Sequence, residues 1–258
     1  MTRHMQEHTA SDAHTAFVPV DGKAVLVTGG TTGIGRAIAR LMAVQSARVF
    51  IFGRHQRELD DALASIREVG GHIQGTTADV AKAEDVKRVF AKAEDALGGI
   101  DVLVNNAGLS GEGVVDMPET EWRYVVETNL VGYLACAQEA VPRMEARKSG
   151  HIVLIGSVSA DRRGKDSSVY VATKAGIQGF AESLHKEVRT KGIKVSLIEP
   201  GSVGADLNGA SDAEQRDEIN KGERLRAEDI AVAVHYVLTQ PARCDVTRLV
   251  IRPHVEET

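Results

Sequence analysis

Tyr170 and Lys174 stand four residues apart, and Ser157 lies thirteen residues before the tyrosine. On a helix, that i,i+4 spacing puts the phenol and the ammonium on one face, where the cation favours a phenolate. A tyrosine free in water titrates near ~10, and moving it towards neutrality makes it a general acid or base for an alcohol/carbonyl pair. Upstream, Gly29, Gly33 and Gly35 follow a strand-like run and open a helical pattern, with Thr31, Thr32 and Ile34 in the same turn. Glycines there allow a tight turn and let backbone N–H groups and a helix N-terminus approach a pyrophosphate. A phosphate-cradling turn and a proton-transfer pair therefore occur in one chain.

These residues need elements to hold them. Short β-branched runs at residues 24–28, 48–52, 73–78, 101–105, 151–157, 195–199 and 247–251 alternate with helical patterns, which predicts an α/β fold around a parallel sheet. Several runs are apolar throughout, as expected of strands covered on both faces. Helices are predicted over 34–45, 56–69, 83–97 and 168–190, with Gly70-Gly71, Gly98-Gly99 and Gly192 as stops. The stripe Ile177, Ala181, Leu184 and Val188 continues from Tyr170 at helical spacing and explains that helix, but it does not explain a lysine on the same face. Residues 1–21 read as a polar, disordered tail and 22–258 as one domain. The polar stretch near 201–225 follows a strand end and reads as a lid over a substrate.

With 31 Lys and Arg against 36 Asp and Glu, the chain lacks the basic excess of a nucleic-acid binder, so nucleic acid is not expected as a partner. Two cysteines, Cys136 and Cys244, offer neither a disulfide framework nor zinc spacing. The run His4-Met-Gln-Glu-His8 formally matches a zinc-protease pattern but has no apolar face, and no metal site is expected. With no apolar run long enough to span a bilayer and no apolar leader core, neither a membrane nor export is expected, and the cytoplasm is the default location.

The motifs Thr28-Gly-x-x-x-Gly-Ile-Gly35, Asp79-Val80, Asn105-Asn-Ala-Gly108, Asn129, Ser157, Tyr170-x-x-x-Lys174 and Pro200-Gly201, in this order, resemble the short-chain dehydrogenase/reductase family over residues 22–252. The resemblance implies a Rossmann-type doubly wound sheet of seven parallel strands, a small-molecule carbonyl or alcohol substrate, and a homodimer or homotetramer. It also implies that Tyr170 exchanges the proton, Ser157 bonds the reacting oxygen, and Lys174 binds the ribose while stabilising the phenolate. Asn129 would hold a water linking Lys174 to solvent. Ser159, two residues beyond Ser157, shares its face if the strand continues. Asp79, with Val80, would meet the adenine, although Asp79 could also cap the helix near Ala81. Asn106, Ala107 and Gly108 would pass beneath the adenosine ribose, while Pro200, Gly201 and Val203 belong to the cofactor wall.

A carboxylate after the second strand accepts from a ribose 2′-OH, whereas an arginine pairs with a 2′-phosphate. Here the strand ends in Gly53-Arg54, so NADP(H) is expected over NAD(H). The family pattern after Pro200-Gly201 includes a threonine that this chain replaces with Ser202-Val203-Gly204-Ala205. Asp161-Arg162-Arg163, just past Ser157, reads as a solvated loop or as an attractor for an anionic substrate. The function expected is interconversion of a carbonyl and an alcohol. The alternatives are a catalytically silent nicotinamide sensor, an NAD-dependent dehydrogenase, or a dehydratase or epimerase. The intact Tyr170/Lys174 pair speaks for turnover, and the absence of a second acid/base residue speaks against the last.

Overall fold

The structure is a computed structural model that describes residues 17–204 and 217–255. Seven strands form one sheet: β1 (Ala24–Thr28), β2 (Arg48–Gly53), β3 (Ile73–Thr77), β4 (Val102–Asn105), β5 (Gly150–Ile155), β6 (Ile193–Pro200) and, at the C-terminal end, β9 (Arg248–Ile251). Their order is β3-β2-β1-β4-β5-β6-β9, and every pairing is parallel. The seven predicted runs are these seven strands. Between β6 and β9, β7 (Val203–Gly204) and β8 (Leu225–Arg226) make a separate two-residue parallel pair.

Period-2 alternation sends neighbouring residues of each strand to opposite faces, and both faces are covered. Leu26, Phe50, Leu103, Ile152 and Leu197 face a core completed by α3 (Ala83–Leu97), α5 (Gly132–Ala146) and α7 (Ser168–Val188). Val25, Ile51, Val104, Val153 and Ile198 face the other core, completed by α1 (Gly33–Val44), α2 (Gln56–Arg67) and α8 (Ala227–Leu238). The predicted stripe on α7 is buried at Ile177, Ala181, Leu184 and Val188. Gly98 and Gly192 stop their helices in the left-handed conformation, at φ 68° and 78°.

The strand order reverses between β1 and β4, where both neighbours of β1 carry their chains away in opposite directions. A crevice opens beyond the carboxyl ends at such a point, and ligands of doubly wound sheets bind there. Five helical pieces were not foreseen: α4 (Glu119–Val126), α5, α6 (Ser159–Arg162), α8, and a π-helical turn, Glu127–Val131, between α4 and α5. Residues 1–16 of the proposed tail and 205–216 at the centre of the proposed lid lie outside the described residues, as do His4 and His8, whereas the end of the proposed tail is packed on the domain: Val20 is buried in a core and Val18 N donates to Thr239 O at 2.8 Å. Residues flanking that segment are drawn together by the β7–β8 pair and by Leu225 N donating to Ser202 O at 2.8 Å. Among the described residues no helix is long and apolar enough to cross a membrane.

Candidate active site

A cleft of about 710 Å³ runs along the carboxyl ends of the strands, from Arg54 and Asp79 at one end to Ser157, Tyr170 and Arg162 at the other. All the sequence-predicted site residues line it except Gly35 and Asn129. The fold places these two behind the wall, for reasons their packing makes plain.

Gly35, the third residue of α1, turns inward: a side chain there would collide with the Gly29 carbonyl and the Asn106 amide. At Gly29 the backbone is left-handed, φ 61°, and a methyl group would stand 2.8 Å from the Ala107 Cα. The turn is thus pressed against the loop after β4, and Thr28 Oγ1 accepts from the N–H groups of Asn106 and Ala107, both at 2.9 Å. Asn106 Nδ2 donates to the carbonyls of Thr28 and Gly29 at 3.1 and 3.2 Å, so this side chain braces the turn while its backbone lines the cleft. Above the turn, α1 opens with no acidic residue in its first turn and no side-chain cap from Thr32. Its orphan N–H groups and positive dipole end meet the cleft through Gly33 and Ile34. A bare, positively polarised helix start beside glycine backbone fits a pyrophosphate.

Asn129 is fully buried within the π-helical turn. Its Oδ1 accepts from Leu109 N at 2.7 Å, and its Nδ2 donates to Leu109 O at 2.8 Å and Thr173 Oγ1 at 3.3 Å. The amide, set in a helical irregularity, therefore clamps the loop after β4 to α7. Gly108 lies against both partners of this corner: a methyl there would stand 3.6 Å from Asn129 Oδ1 and 4.0 Å from Lys174 Nζ.

Tyr170 and Lys174 share one face of α7, as their spacing predicts. Lys174 is 4% exposed, its Nζ donates to Ile155 O at 2.9 Å, and it stands 5.5 Å from the Tyr170 ring centroid. Burial pushes the lysine down, to about 8, against the opposing pull of the Glu199 carboxylate. Burial also pushes the Tyr170 phenol up, while Ser157 pulls it down. The expected lowering of the phenol by its lysine is thus not a property of the protein by itself: the ammonium is spent on a carbonyl and is itself weakened by burial. Ser157 Oγ donates to Ser159 Oγ at 3.1 Å and accepts from Ser159 N at 3.1 Å. Strand β5 ends at Ile155, so Ser159 begins α6 instead of continuing the face of Ser157, although both line the cleft.

Asp79 Oδ1 accepts from Ala81 N at 3.0 Å, closing a local turn, but α3 begins only at Ala83. Of the two loop arginines, Arg162 lines the cleft; Arg163, left-handed at φ 52°, does not. Sequence reasoning missed three polar neighbours of the site: Thr128, Glu58 and Tyr124. Thr128 is buried on the cleft wall, and neither its Oγ1 nor Glu58 Oε2 has a hydrogen-bond partner among the described residues. Thr128 adjoins Asn129 and Glu58 lies one turn beyond Arg54, so adjacency was the available signal. Tyr124 carried none. Among the described residues no three His, Cys, Asp or Glu side chains cluster as a metal would require.

A family model described as short chain dehydrogenase matches residues 23–216. An uncharacterized oxidoreductase of Staphylococcus aureus (strain USA300) is 34% identical over 232 residues, covering 90% of this chain and 97% of that one. A similar uncharacterized oxidoreductase of Staphylococcus haemolyticus (strain JCSC1435) is 34% identical over 235 residues, covering 91% and 98%. Among solved structures, an actinorhodin polyketide ketoreductase variant with NADPH superposes at a TM-score of 0.83 with 30% identity, covering 93% of this chain and 100% of that one. A metagenomic short-chain oxidoreductase in complex with NADP gives 0.79 and 28%, covering 92% and 100%. The chain belongs to the short-chain dehydrogenase family and is an oxidoreductase acting on CH–OH/C=O groups.

Proposed function

We propose that this protein is an NADP(H)-dependent oxidoreductase that interconverts a ketone or aldehyde and an alcohol, with Tyr170 as the general acid/base. The observation that carries the reading is the joint placement of Ser157, Tyr170 and Lys174 at one end of a cleft whose other end holds Arg54 and whose middle is the glycine turn. The nicotinamide cofactor, when bound, supplies or accepts the hydride. Everything else falls to the chain. The α1 N-terminus and the Gly29–Gly33 backbone receive the pyrophosphate. Ser157 fixes the substrate oxygen and Tyr170 gives or takes its proton. Lys174 changes partner: an ammonium turned from Ile155 O towards a ribose hydroxyl and the phenolate lowers the tyrosine. Asn129 holds the loop at which that exchange takes place. At the other end, Arg54 pairs with the 2′-phosphate.

One observation favours a dual-cofactor reading. Glu58 lines the same end of the cleft, and a carboxylate there is an acceptor suited to a ribose 2′-OH. Oxidation of NADPH and NADH with a panel of aldehydes and ketones, and reduction of NADP+ and NAD+ with alcohols and hydroxy acids, tests both readings. Tyr170→Phe should cut turnover by roughly 10²- to 10⁴-fold while NADPH still binds. Arg54→Ala should lower the NADPH/NADH preference by about tenfold, the cost of one charge-assisted pair. An unchanged ratio removes the phosphate clamp, and a Tyr170→Phe protein that still turns over removes the acid/base assignment.

A further inference from the structure

Behind Arg54 stands a residue that the family motifs do not include. Arg54 Nη1 donates to the Tyr124 hydroxyl at 2.9 Å, and that hydroxyl donates to Asp79 Oδ2 at 2.8 Å. The guanidinium carbon lies 5.6 Å from the centroid of the Tyr124 ring, within cation–π range. Tyr124, on α4, is not part of the cleft wall, whereas Arg54 and Asp79 are. A guanidinium can only donate and a carboxylate can only accept. The phenol between them accepts from one and donates to the other, which fixes the direction of the chain. Its far end is anchored, because Asp79 also receives Ala81 N on Oδ1 at 3.0 Å and gives its own N–H to Asp85 Oδ2 at 2.9 Å. Burial, reinforced by the bond to Asp79, raises the phenol's titration above its ordinary value, so it remains a donor.

We propose that Tyr124 is a positioning residue for cofactor specificity: by hydroxyl and ring together it holds the Arg54 guanidinium over the nucleotide end of the cleft, ready for a 2′-phosphate. This rests on the reading of Arg54 given above. An exposed arginine at a strand end has many rotamers, and ordering it before the ligand arrives removes that cost from binding. The competing acceptor for Arg54 is Glu58, four residues on, which lines the same cleft.

The test is equilibrium titration of NADPH and NADH by fluorescence, with 2′,5′-ADP and 5′-AMP as minimal probes of the phosphate, against wild type, Tyr124→Phe, Tyr124→Leu, Arg54→Ala and the Arg54→Ala/Tyr124→Phe double variant. Tyr124→Phe keeps the ring and its packing but loses the hydroxyl, and it should weaken NADPH and 2′,5′-ADP roughly five- to tenfold. NADH and 5′-AMP should move less than about twofold, because they lack the group that Arg54 meets. Tyr124→Leu should weaken NADPH further, since it loses the ring as well. With Arg54 already replaced by alanine, Tyr124→Phe should leave the NADPH/NADH ratio where it is. Equal weakening of NADPH and NADH by Tyr124→Phe would place its effect on Asp79 and overturn the proposal. So would an unchanged NADPH affinity in Tyr124→Phe alongside a clear loss in Arg54→Ala, an outcome that leaves the clamp itself standing. If Arg54→Ala does not change the ratio, the clamp fails and the role of Tyr124 fails with it.

Discussion

Lys174 illustrates what burying a lysine costs a protein. Its ammonium is buried and bonded to the Ile155 carbonyl, and burial pushes it down from 10.5 to about 8. Below about pH 8 both the folded and unfolded chains carry the charge, so the full burial penalty is present. As pH rises from about 8 to 10.5 the folded protein releases a proton that the unfolded chain keeps, and stability climbs. The size is on the order of 3 kcal/mol, the free energy of that shift. Lys174→Met should therefore stabilise the cofactor-free protein at pH 7, with the gain shrinking as pH approaches 10. Ile155 O is not orphaned by the change, because Tyr133 Oη already donates to it at 3.1 Å. Urea unfolding of both proteins at pH 7 and pH 9.5 measures this, and a difference that is the same at both values contradicts the burial account. The same variant should have no turnover, the familiar exchange of stability for activity.

The loops that carry Ser157 and Pro200-Gly201 are held by a closed ring of four side chains. Gln178 Nε2 donates to Asp161 Oδ1 at 3.2 Å and to Glu199 Oε1 at 2.7 Å, while Arg248 donates through Nε to Glu199 Oε2 and through Nη2 to Asp161 Oδ2. It joins α6, α7, β6 and β9, so the last strand braces the segment just after Ser157. Glu199 is fully buried, whereas Arg248 is half exposed. Arg248→Met should cost about 2 kcal/mol, less than a fully buried pair because water screens the arginine and Gln178 still serves the carboxylate. Glu199→Gln in the same chain should restore part of it, since a neutral amide no longer needs the cation. Denaturant midpoints of the single and double variants decide the matter; additive losses would remove the coupling. This ring also marks the limit of what the sequence disclosed. The seven strands, the glycine turn and the Tyr170/Lys174 face were legible because each is a local pattern: a short β-branched run, a four-residue spacing, or a motif in register. Asp161 looked like part of a charged loop and Arg248 like a strand residue, and only the crossover from β6 to β9 sets them side by side. Tyr124 was hidden in the same way, on a helix with a weak signal, meeting Arg54 across seventy residues of chain. The π turn at Asn129 has no periodicity of its own to read.

The cleft spans both halves of the sheet. Residues beyond β1, β2 and β3 line it on one side and residues beyond β5 and β6 on the other, so a condition that loosens the pairing of β5 with β6 acts on the wall that holds Ser157 and Pro200. Acid should be such a condition, through His151 on β5. His151 is 8% exposed, and its Nε2 lies 2.9 Å from Ser196 Oγ on the neighbouring β6. Ser196 gives its own proton to Val246 O at 2.6 Å, so Nε2 is the donor and the ring is the neutral Nε2–H tautomer. A second proton on Nδ1 would bury a charge. Burial accordingly pushes the imidazole down to about 4, helped by the cation of Lys194 and opposed by Asp245. Because the folded value lies below the unfolded one, near ~6.5, the unfolded chain takes up a proton that the native state refuses as pH falls through this window. Stability present above pH 6.5 is lost progressively towards pH 4, by about 2 kcal/mol on reaching pH 5. His151→Gln retains an N–H donor for Ser196 but cannot titrate, and it should flatten the loss of stability between pH 6.5 and 5 relative to wild type. Chemical denaturation at those two values gives the comparison. If the variant loses as much stability as the wild type, the acid sensitivity resides in the carboxylates of the surface and not in the bond that joins β5 to β6.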